Sequence, residues 1–158
     1  MLITIAAVGR MKTGAERELL DRFLDRAGAA GRQIGLTFAV REFPESRAAT
    51  PALRKAQEGA AVLDALAPAL IVALDEGGKG LTSRAFADRI AAWRDGGEAN
   101  IAFVIGGADG PGAPILEKAR IRLAFGAMTW PHQLVRVMLT EQLYRAVTIL
   151  SGHPYHRD

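Results

Sequence analysis

The sequence predicts an α/β fold in which a mainly parallel sheet is flanked by helices. Strand-like apolar segments alternate with helical segments along the whole chain of 158 residues. Segment 69–74 (ALIVAL) is apolar throughout and segment 100–105 (NIAFVI) is apolar after Asn100, which is typical of interior parallel strands covered on both faces. The composition is 49% hydrophobic but only 6% aromatic, which favours helices packed on a sheet over an all-β sandwich. Without a repeat or linker, residues 1–158 form a single predicted domain.

The first half of the chain gives two strands and two helices. A strand is predicted over 2–8, followed by a helix over 14–30 whose apolar residues recur on one face. A second strand is predicted over 34–42, where apolar residues alternate with small or polar ones. Thr50 and Pro51 suit an N-cap and a first helical turn, so a helix is expected to run to about Leu66.

The second half continues the alternation. The strand over 69–74 is expected to end at Asp75, and Thr82 and Ser83 begin a helix that runs to about Trp93. After the strand over 100–105, a short helix is expected near 113–120 and a strand near 121–125. The last helix is expected from Pro131 to about Leu150.

The composition excludes several classes of site. The chain has no cysteine, which removes disulfides, thiolate zinc sites and cysteine nucleophiles, and is consistent with a reducing compartment. The apolar N-terminus lacks a basic leader and is interpreted as a strand rather than a signal peptide. No apolar stretch reaches the roughly 18–20 residues that span a bilayer. We therefore expect a cytoplasmic protein, whose net charge of +3 permits an RNA partner without requiring one.

Three glycine-bearing segments follow predicted strands, at 74–80, 106–112 and 125–130. Ligands of open α/β sheets bind at the carboxyl ends of the strands, and glycine lets a ligand approach the backbone closely. The alternative is that strand-to-helix turns simply require glycine. Two phosphate-binding signatures are absent, because Ala73 stands where a P-loop needs glycine and residues 106–112 do not match G-x-G-x-x-G.

The last predicted helix is apolar on two sides. Leu139 and Leu143 lie on one face, while Arg136 and Tyr144 lie on another face that also carries apolar residues. We expect both apolar sides of such a helix to be covered. In a single domain of this size, this indicates that a second subunit covers one of them. A central helix within one monomer is the alternative.

The remaining polar candidates are weak. His153 and His156 are separated by a proline and lack a cluster of carboxylates, so no metal site is expected. Asp75 and Glu76 could act as acid or base, but acids after a strand more often cap the following turn.

Five motifs in chain order resemble one known family. They are LDEGGK at 74–79 with LTS at 81–83, FVIGGADG at 103–110, MTWPHQLVR at 128–136, EQLYRA at 141–146 and PYHR at 154–157. Together they resemble the large-subunit ribosomal RNA pseudouridine-N3 methyltransferases of the SPOUT class, over essentially the whole chain. Two deviations are mild: Trp130 replaces a commonly aliphatic residue, and Asp158 follows the final arginine.

The resemblance implies a C-terminal trefoil knot, an exception to the rule that chains are un-knotted. It implies S-adenosylmethionine as cofactor, a homodimer that pairs through the knot region and the last helix, and a pseudouridine of 23S ribosomal RNA in the assembled ribosome as substrate. The cofactor residues it implies are Leu74, Gly106, Phe125, Gly126, Ala127, Met128, Thr129 and Trp130.

Methyl transfer to the imide nitrogen N3 requires loss of its proton, which a base or a cation would assist. The candidate catalytic residues are Arg136, Tyr155, His156 and Arg157, although the tail could equally hold phosphate or be a frayed terminus. Two other functions stay open. One is a SPOUT enzyme with another target such as tRNA, and the other is a non-catalytic ribosome-associated or nucleotide-binding module.

Overall fold

The computed structural model describes residues 1–156 and contains one five-stranded sheet in which every neighbouring pair is parallel. The strand order is β2-β1-β4-β3-β5. In chain order the elements are β1 (Leu2–Val8), α1 (Ala15–Gly31), β2 (Thr37–Phe43), α2 (Pro51–Leu66), β3 (Leu70–Gly80), α3 (Ser83–Asp95), β4 (Asn100–Ile105), α4 (Ala113–Lys118), β5 (Ile121–Ala124) and α5 (His132–Leu150).

Helices cover both faces of the sheet, as the apolar strands predict. On one face, Ile3 and Phe103 pack in a core that includes Phe86 of α3 and Leu143 of α5. On the other face, residues such as Val104 pack against α2 and α4. The successive side chains of β1 and β4 are buried on both faces, which explains why these strands are almost entirely apolar.

The predicted helix starts are confirmed by their caps. The hydroxyl of Thr50 accepts a hydrogen bond from the Leu53 amide at 3.3 Å, and the hydroxyl of Thr82 accepts one from the Ala85 amide at 3.1 Å. Pro51 occupies the first turn of α2. These side-chain acceptors satisfy amide groups that have no partner within the helix.

Two strand boundaries differ from the prediction. Residues 34–36 lie outside β2, because Arg32–Ile34 form a 3₁₀ turn that Gly35 ends with φ 72°. β3 does not end at Asp75: after an irregular stretch, Lys79 resumes pairing with Leu123 of β5. Apolar patterning gives no signal for this resumption, because the residues of β3 that pair again are Lys79 and Gly80.

Other elements of the same chain cover both apolar sides of α5. α5 lies between α1 and α3 on one face of the sheet, and Leu139 and Leu143 are fully buried there. The burial pattern is therefore that of a central helix and gives no support to a subunit interface. The homodimer and the trefoil knot stay predictions. None of the helices in residues 1–156 is long and apolar enough to cross a membrane.

A candidate ligand cavity at the carboxyl ends of the strands

A cavity of about 810 Å³ lies at the carboxyl ends of β3, β4 and β5. All three glycine-bearing segments contribute to its wall, so the fold brings together loops that are 50 residues apart in sequence. Seven of the eight predicted cofactor residues line it: Leu74, Gly106, Phe125, Gly126, Met128, Thr129 and Trp130. Ala127 belongs to the same loop but does not line the cavity.

The loop 106–112 is a tight turn held against α2. The Gly110 amide donates to the Gly107 carbonyl at 3.0 Å, and Gly110 has a φ of 79° that favours glycine. A Cβ at Gly106 would overlap the backbone of Gly110 and Pro111. Outside the turn, Arg54 of α2 forms an ion pair with Asp109 at 2.7 Å, and this pair holds the pKa of Asp109 below its usual range. Glycine at 106 is therefore required by the loop itself.

The loop 125–130 is fixed at both ends. The indole Nε1 of Trp130 donates to the Phe125 carbonyl at 3.1 Å. The hydroxyl of Thr129 donates to a carboxylate oxygen of Glu76 at 2.7 Å, which joins this loop to the segment after Leu74. Glu76 thus helps to hold the loop 125–130 in place, apart from the acid–base and turn-capping roles that its position in the sequence allows.

Several cavity residues lie outside the three predicted segments, and three of them come from α2 and α5. Lys55 comes from α2, and His132 and Val135 come from the first turn of α5. Partial burial and the neighbouring Arg136 lower the pKa of His132, which leaves the imidazole neutral at physiological pH. His132 lies inside the MTWPHQLVR motif, so the sequence carried a signal for it, whereas no local signal places Lys55 beside the loop 106–112.

Arg136 lies behind the cavity wall rather than in it. Its side chain is fully buried, its Nη2 donates to the Val8 carbonyl at 2.6 Å, and its Nη1 contacts Glu42 at 3.3 Å. Burial lowers the pKa of this guanidinium. In residues 1–156 its Nε is the one fully buried side-chain polar atom without a hydrogen-bond partner. The structure shows these contacts within the chain, and the catalytic role of Arg136 stays a prediction.

The tail folds back onto α5. The ring of Tyr155 lies 4.6 Å from the ring of Tyr144 and 4.9 Å from the guanidinium carbon of Arg145, and its hydroxyl donates to Glu141 at 3.1 Å. Burial and the nearby Glu141 raise the pKa of Tyr155. Arg145 Nη1 lies 3.4 Å from Nδ1 of His156. Arg157, the remaining tail residue predicted to act in catalysis, lies outside the described residues.

The tail and the cavity of one chain are well separated. Tyr155 contacts Glu141 in the middle of α5, while the cavity is lined by His132 in the first turn of that helix. Nine residues of helix correspond to about 14 Å at 1.5 Å per residue. Within one chain, the structure therefore does not bring Tyr155 beside the predicted cofactor residues.

A second cavity of about 840 Å³ lies at the opposite edge of the sheet, between Leu66, Ile71, Trp93 and Arg120. None of the glycine loops reaches it, and no sequence motif falls there. In the part of the chain that the structure describes, no group of three or more histidines and carboxylates could hold a metal ion.

The fold and the first cavity define an α/β protein with a ligand site built from glycine loops at strand ends, and comparison with known proteins assigns its family. The family described as "Predicted SPOUT methyltransferase" matches residues 1–156, so the chain belongs to the SPOUT methyltransferase family.

Relatives and solved structures agree with this family. The chain is 56% identical over 157 residues to a protein of Chelativorans sp. named "Ribosomal RNA large subunit methyltransferase H", covering 99% of this chain and 91% of the relative. It is 54% identical over 160 residues to a Nitrobacter hamburgensis protein of the same name, covering 99% of each. A probable methylase family protein from Haemophilus influenzae Rd KW20 shares the fold, with a TM-score of 0.53 at 15% identity over 99% of this chain and 70% of that one.

Proposed function

We propose that this chain transfers a methyl group from S-adenosylmethionine to N3 of a pseudouridine in 23S ribosomal RNA, on the assembled ribosome in the cytoplasm. The observation that carries the proposal is the cavity at the carboxyl ends of β3, β4 and β5, where the three motif loops meet. Membership of the SPOUT family and relatives named as methyltransferases of the large ribosomal subunit RNA support the reaction and the substrate.

The cavity fits a cofactor of this size and chemistry. Its volume of about 810 Å³ falls within the range of small-molecule sites, and its wall combines apolar side chains with backbone groups of glycine loops. Leu74, Phe125 and Val135 provide apolar surface for an adenine ring. S-adenosylmethionine supplies an activated methyl group on a sulfonium, so the protein has to position the acceptor nitrogen in line with it.

Among the candidates for removing the N3 proton, Tyr155 is poorly suited to act as a base. Its raised pKa keeps the phenol protonated at neutral pH, and Glu141 accepts its proton in a hydrogen bond. Arg145 lies over the Tyr155 ring and near His156, so it is a cation available to stabilise an imide anion or to bind a phosphate. We propose that Glu141 and Arg145 position the tail for this role.

A homodimer would resolve the separation of tail and cavity. Because Tyr155 packs on Glu141, about 14 Å along α5 from His132, we propose that the tail of one protomer completes the site in the cavity of another. Apolar surface is available for such pairing beside the cavity, where Met128, Trp130 and Leu134 are 71%, 41% and 38% exposed. We propose that this surface contributes to the dimer interface.

Calorimetry and methyl transfer test the function directly. S-adenosylmethionine is expected to bind with a Kd in the micromolar range, about −8 kcal/mol. Labelled methyl groups should transfer to assembled ribosomes, and mass mapping should locate them on one pseudouridine of 23S RNA. Transfer to tRNA in place of ribosomes would favour a related SPOUT enzyme. Ribosome binding without methyl transfer would indicate a non-catalytic module.

A further inference from the structure

Two loops outside the cavity present exposed cations at the same edge of the sheet. These cationic loops are residues 9–14, which follow β1 and carry Arg10 and Lys12, and residues 44–50, which follow β2 and carry Arg47. All three side chains are exposed, and none forms an ion pair within residues 1–156. Glu45 is the one acidic residue in the two loops, so together they carry a positive charge.

The first cationic loop is held rigidly at its centre. Met11 is buried, its amide donates to Glu42 at 2.9 Å, and its carbonyl accepts from Arg17 at 3.0 Å. Arg10 and Lys12 stand on either side of Met11. Their backbone is therefore fixed while their side chains extend into solvent.

The second cationic loop is held in a similar way. The Ser46 amide donates to the buried Glu58 at 2.8 Å, and the Ala48 amide donates to the Ser46 hydroxyl at 3.1 Å. Arg54 of α2 donates to the Ala48 carbonyl at 3.2 Å. Arg47 is thus flanked by two residues whose amides are both bound, although its own side chain is exposed.

The cationic loops are fixed relative to the cavity. β1 pairs with β4, so the first loop emerges beside the loop 106–112. A Cβ built at Gly107 would lie 3.2 Å from a side-chain carbon of Val8 and 3.5 Å from an oxygen of Glu58, the residue that anchors Ser46. The cationic loops therefore emerge next to the loop 106–112, which lines the cavity.

We propose that the cationic loops bind the phosphate backbone of the substrate RNA next to the nucleotide that is methylated. The inference rests on the proposed function and assigns to it a substrate-binding surface. Exposed cations on fixed backbone suit a polyanion, because phosphate contacts need charge without a pocket and a fixed loop loses little entropy on binding. Such contacts set the position of the RNA and carry no sequence information.

A triple variant, Arg10→Ala with Lys12→Ala and Arg47→Ala, tests the surface. The KM for ribosomes should rise about tenfold at physiological salt, while kcat and the affinity for S-adenosylmethionine stay within about twofold. The dependence of log affinity on log salt, measured by ribosome pelleting, should become shallower by about two units for three lost contacts. The matched control removes the same charge at the opposite edge of the sheet, with Arg32→Ala, Lys118→Ala and Arg120→Ala, and should leave all these quantities unchanged.

The outcomes separate the two proposals. Wild-type protein that neither binds nor methylates ribosomes would refute the proposed function and this surface together. Wild-type activity with an unchanged KM and salt dependence in the triple variant would overturn the surface alone. An equal loss in the control variant would show a general effect of charge, and a loss of cofactor affinity would place the loops in the cofactor site. Unchanged binding to purified ribosomal RNA, with loss of binding to acidic ribosomal proteins or anionic vesicles, would also overturn the assignment to RNA.

Discussion

Arg136 is the largest fully buried side chain among the described residues, and it joins three elements. From α5 it donates to the carbonyl of Val8 at the end of β1 and contacts Glu42 on β2. Glu42 also accepts from Arg17 of α1 at 3.0 Å. A charged group buried in this way stabilises the fold only while its partners remain, because burial of a charge is costly.

Replacement of Arg136 tests whether it is structural or catalytic. Arg136→Ala leaves the Val8 carbonyl without its donor and opens a cavity, so we expect the free energy of unfolding to fall by about 3 kcal/mol or more. The measurement is urea unfolding, with exposed Arg89→Ala as the control, which should change it by less than about 0.5 kcal/mol. Wild-type stability combined with lost methyl transfer would instead support the catalytic role that the sequence suggested.

At the scale of residues, contacts with α5 also hold Tyr155 of the C-terminal tail in place. Tyr155 would be free in an extended terminus, but contacts with Glu141, Tyr144 and Arg145 hold it against α5. The hydrogen bond from Arg145 to Glu141 raises the pKa of Arg145, which keeps this cation charged. These contacts make Tyr155 part of the folded surface, whereas Arg157 and Asp158 lie outside the described residues.

At the scale of elements, close backbone approach explains why glycine occurs at strand ends. Gly78 lies where a Cβ would come within 2.6 Å of the Arg122 backbone, so β3 can resume pairing with β5 only without a side chain there. Gly112 similarly lies against the backbone of Lys55 in α2. The loops around the cavity are shaped by their own packing as well as by any ligand.

Gly106→Ala should therefore distort the loop 106–112 and thereby weaken the binding of the ligand. Its Cβ overlaps Gly110 and Pro111, which displaces the loop 106–112, and we expect calorimetry to show at least a tenfold loss of affinity for S-adenosylmethionine. The control is Gly28→Ala in α1, where no atom lies within 4 Å of the added Cβ. This control should keep its affinity and gain up to about 1 kcal/mol of stability. Unchanged affinity in a folded Gly106→Ala protein would contradict the cofactor assignment.

At the scale of the whole molecule, one chain keeps its tail and its cavity apart. Tyr155 packs on Glu141 in the middle of α5, about 14 Å along the helix from His132 in the cavity wall. Leu139 and Leu143 are core residues, so changing them would unfold the chain and could not report on pairing. Exposed Leu134 is the better probe of an interface.

Mixed dimers test whether two chains share a site. At an S-adenosylmethionine concentration well below the Kd of the Gly106→Ala chain, that full-length chain and a chain lacking residues 154–158 should each show little activity alone. When they are co-expressed with different tags and purified together, methyl transfer to ribosomes should return, because one intact cavity then meets one intact tail. The truncated chain should keep its affinity for S-adenosylmethionine within a few-fold.

Three results would contradict this arrangement. Full activity of the truncated chain would show that the tail is dispensable. Inactive mixed dimers that remain dimeric would mean that tail and cavity do not act together across the interface. A wild-type monomer that is active at assay concentration in sedimentation would refute the dimer, and Leu134→Glu would then leave activity unchanged.

Local sequence determined the elements and their class. Apolar runs at 69–74 and 100–105 specified buried parallel strands, and Thr50 and Thr82 specified helix starts, because these signals depend on neighbours in sequence. The three glycine segments also predicted which loops would meet, since parallel strands end at one edge of a sheet.

Tertiary structure alone decided what depends on distant contacts. The apolar faces of α5 were consistent with either a subunit interface or a central helix, and packing between α1 and α3 accounts for them within one chain. The buried guanidinium of Arg136 donates a hydrogen bond to the carbonyl of Val8, which is 128 residues away in sequence. The resumption of β3 at Lys79 and the place of Lys55 in the cavity likewise depend on partners from other elements. A side chain's periodicity shows that it is buried, but only the fold determines what buries it.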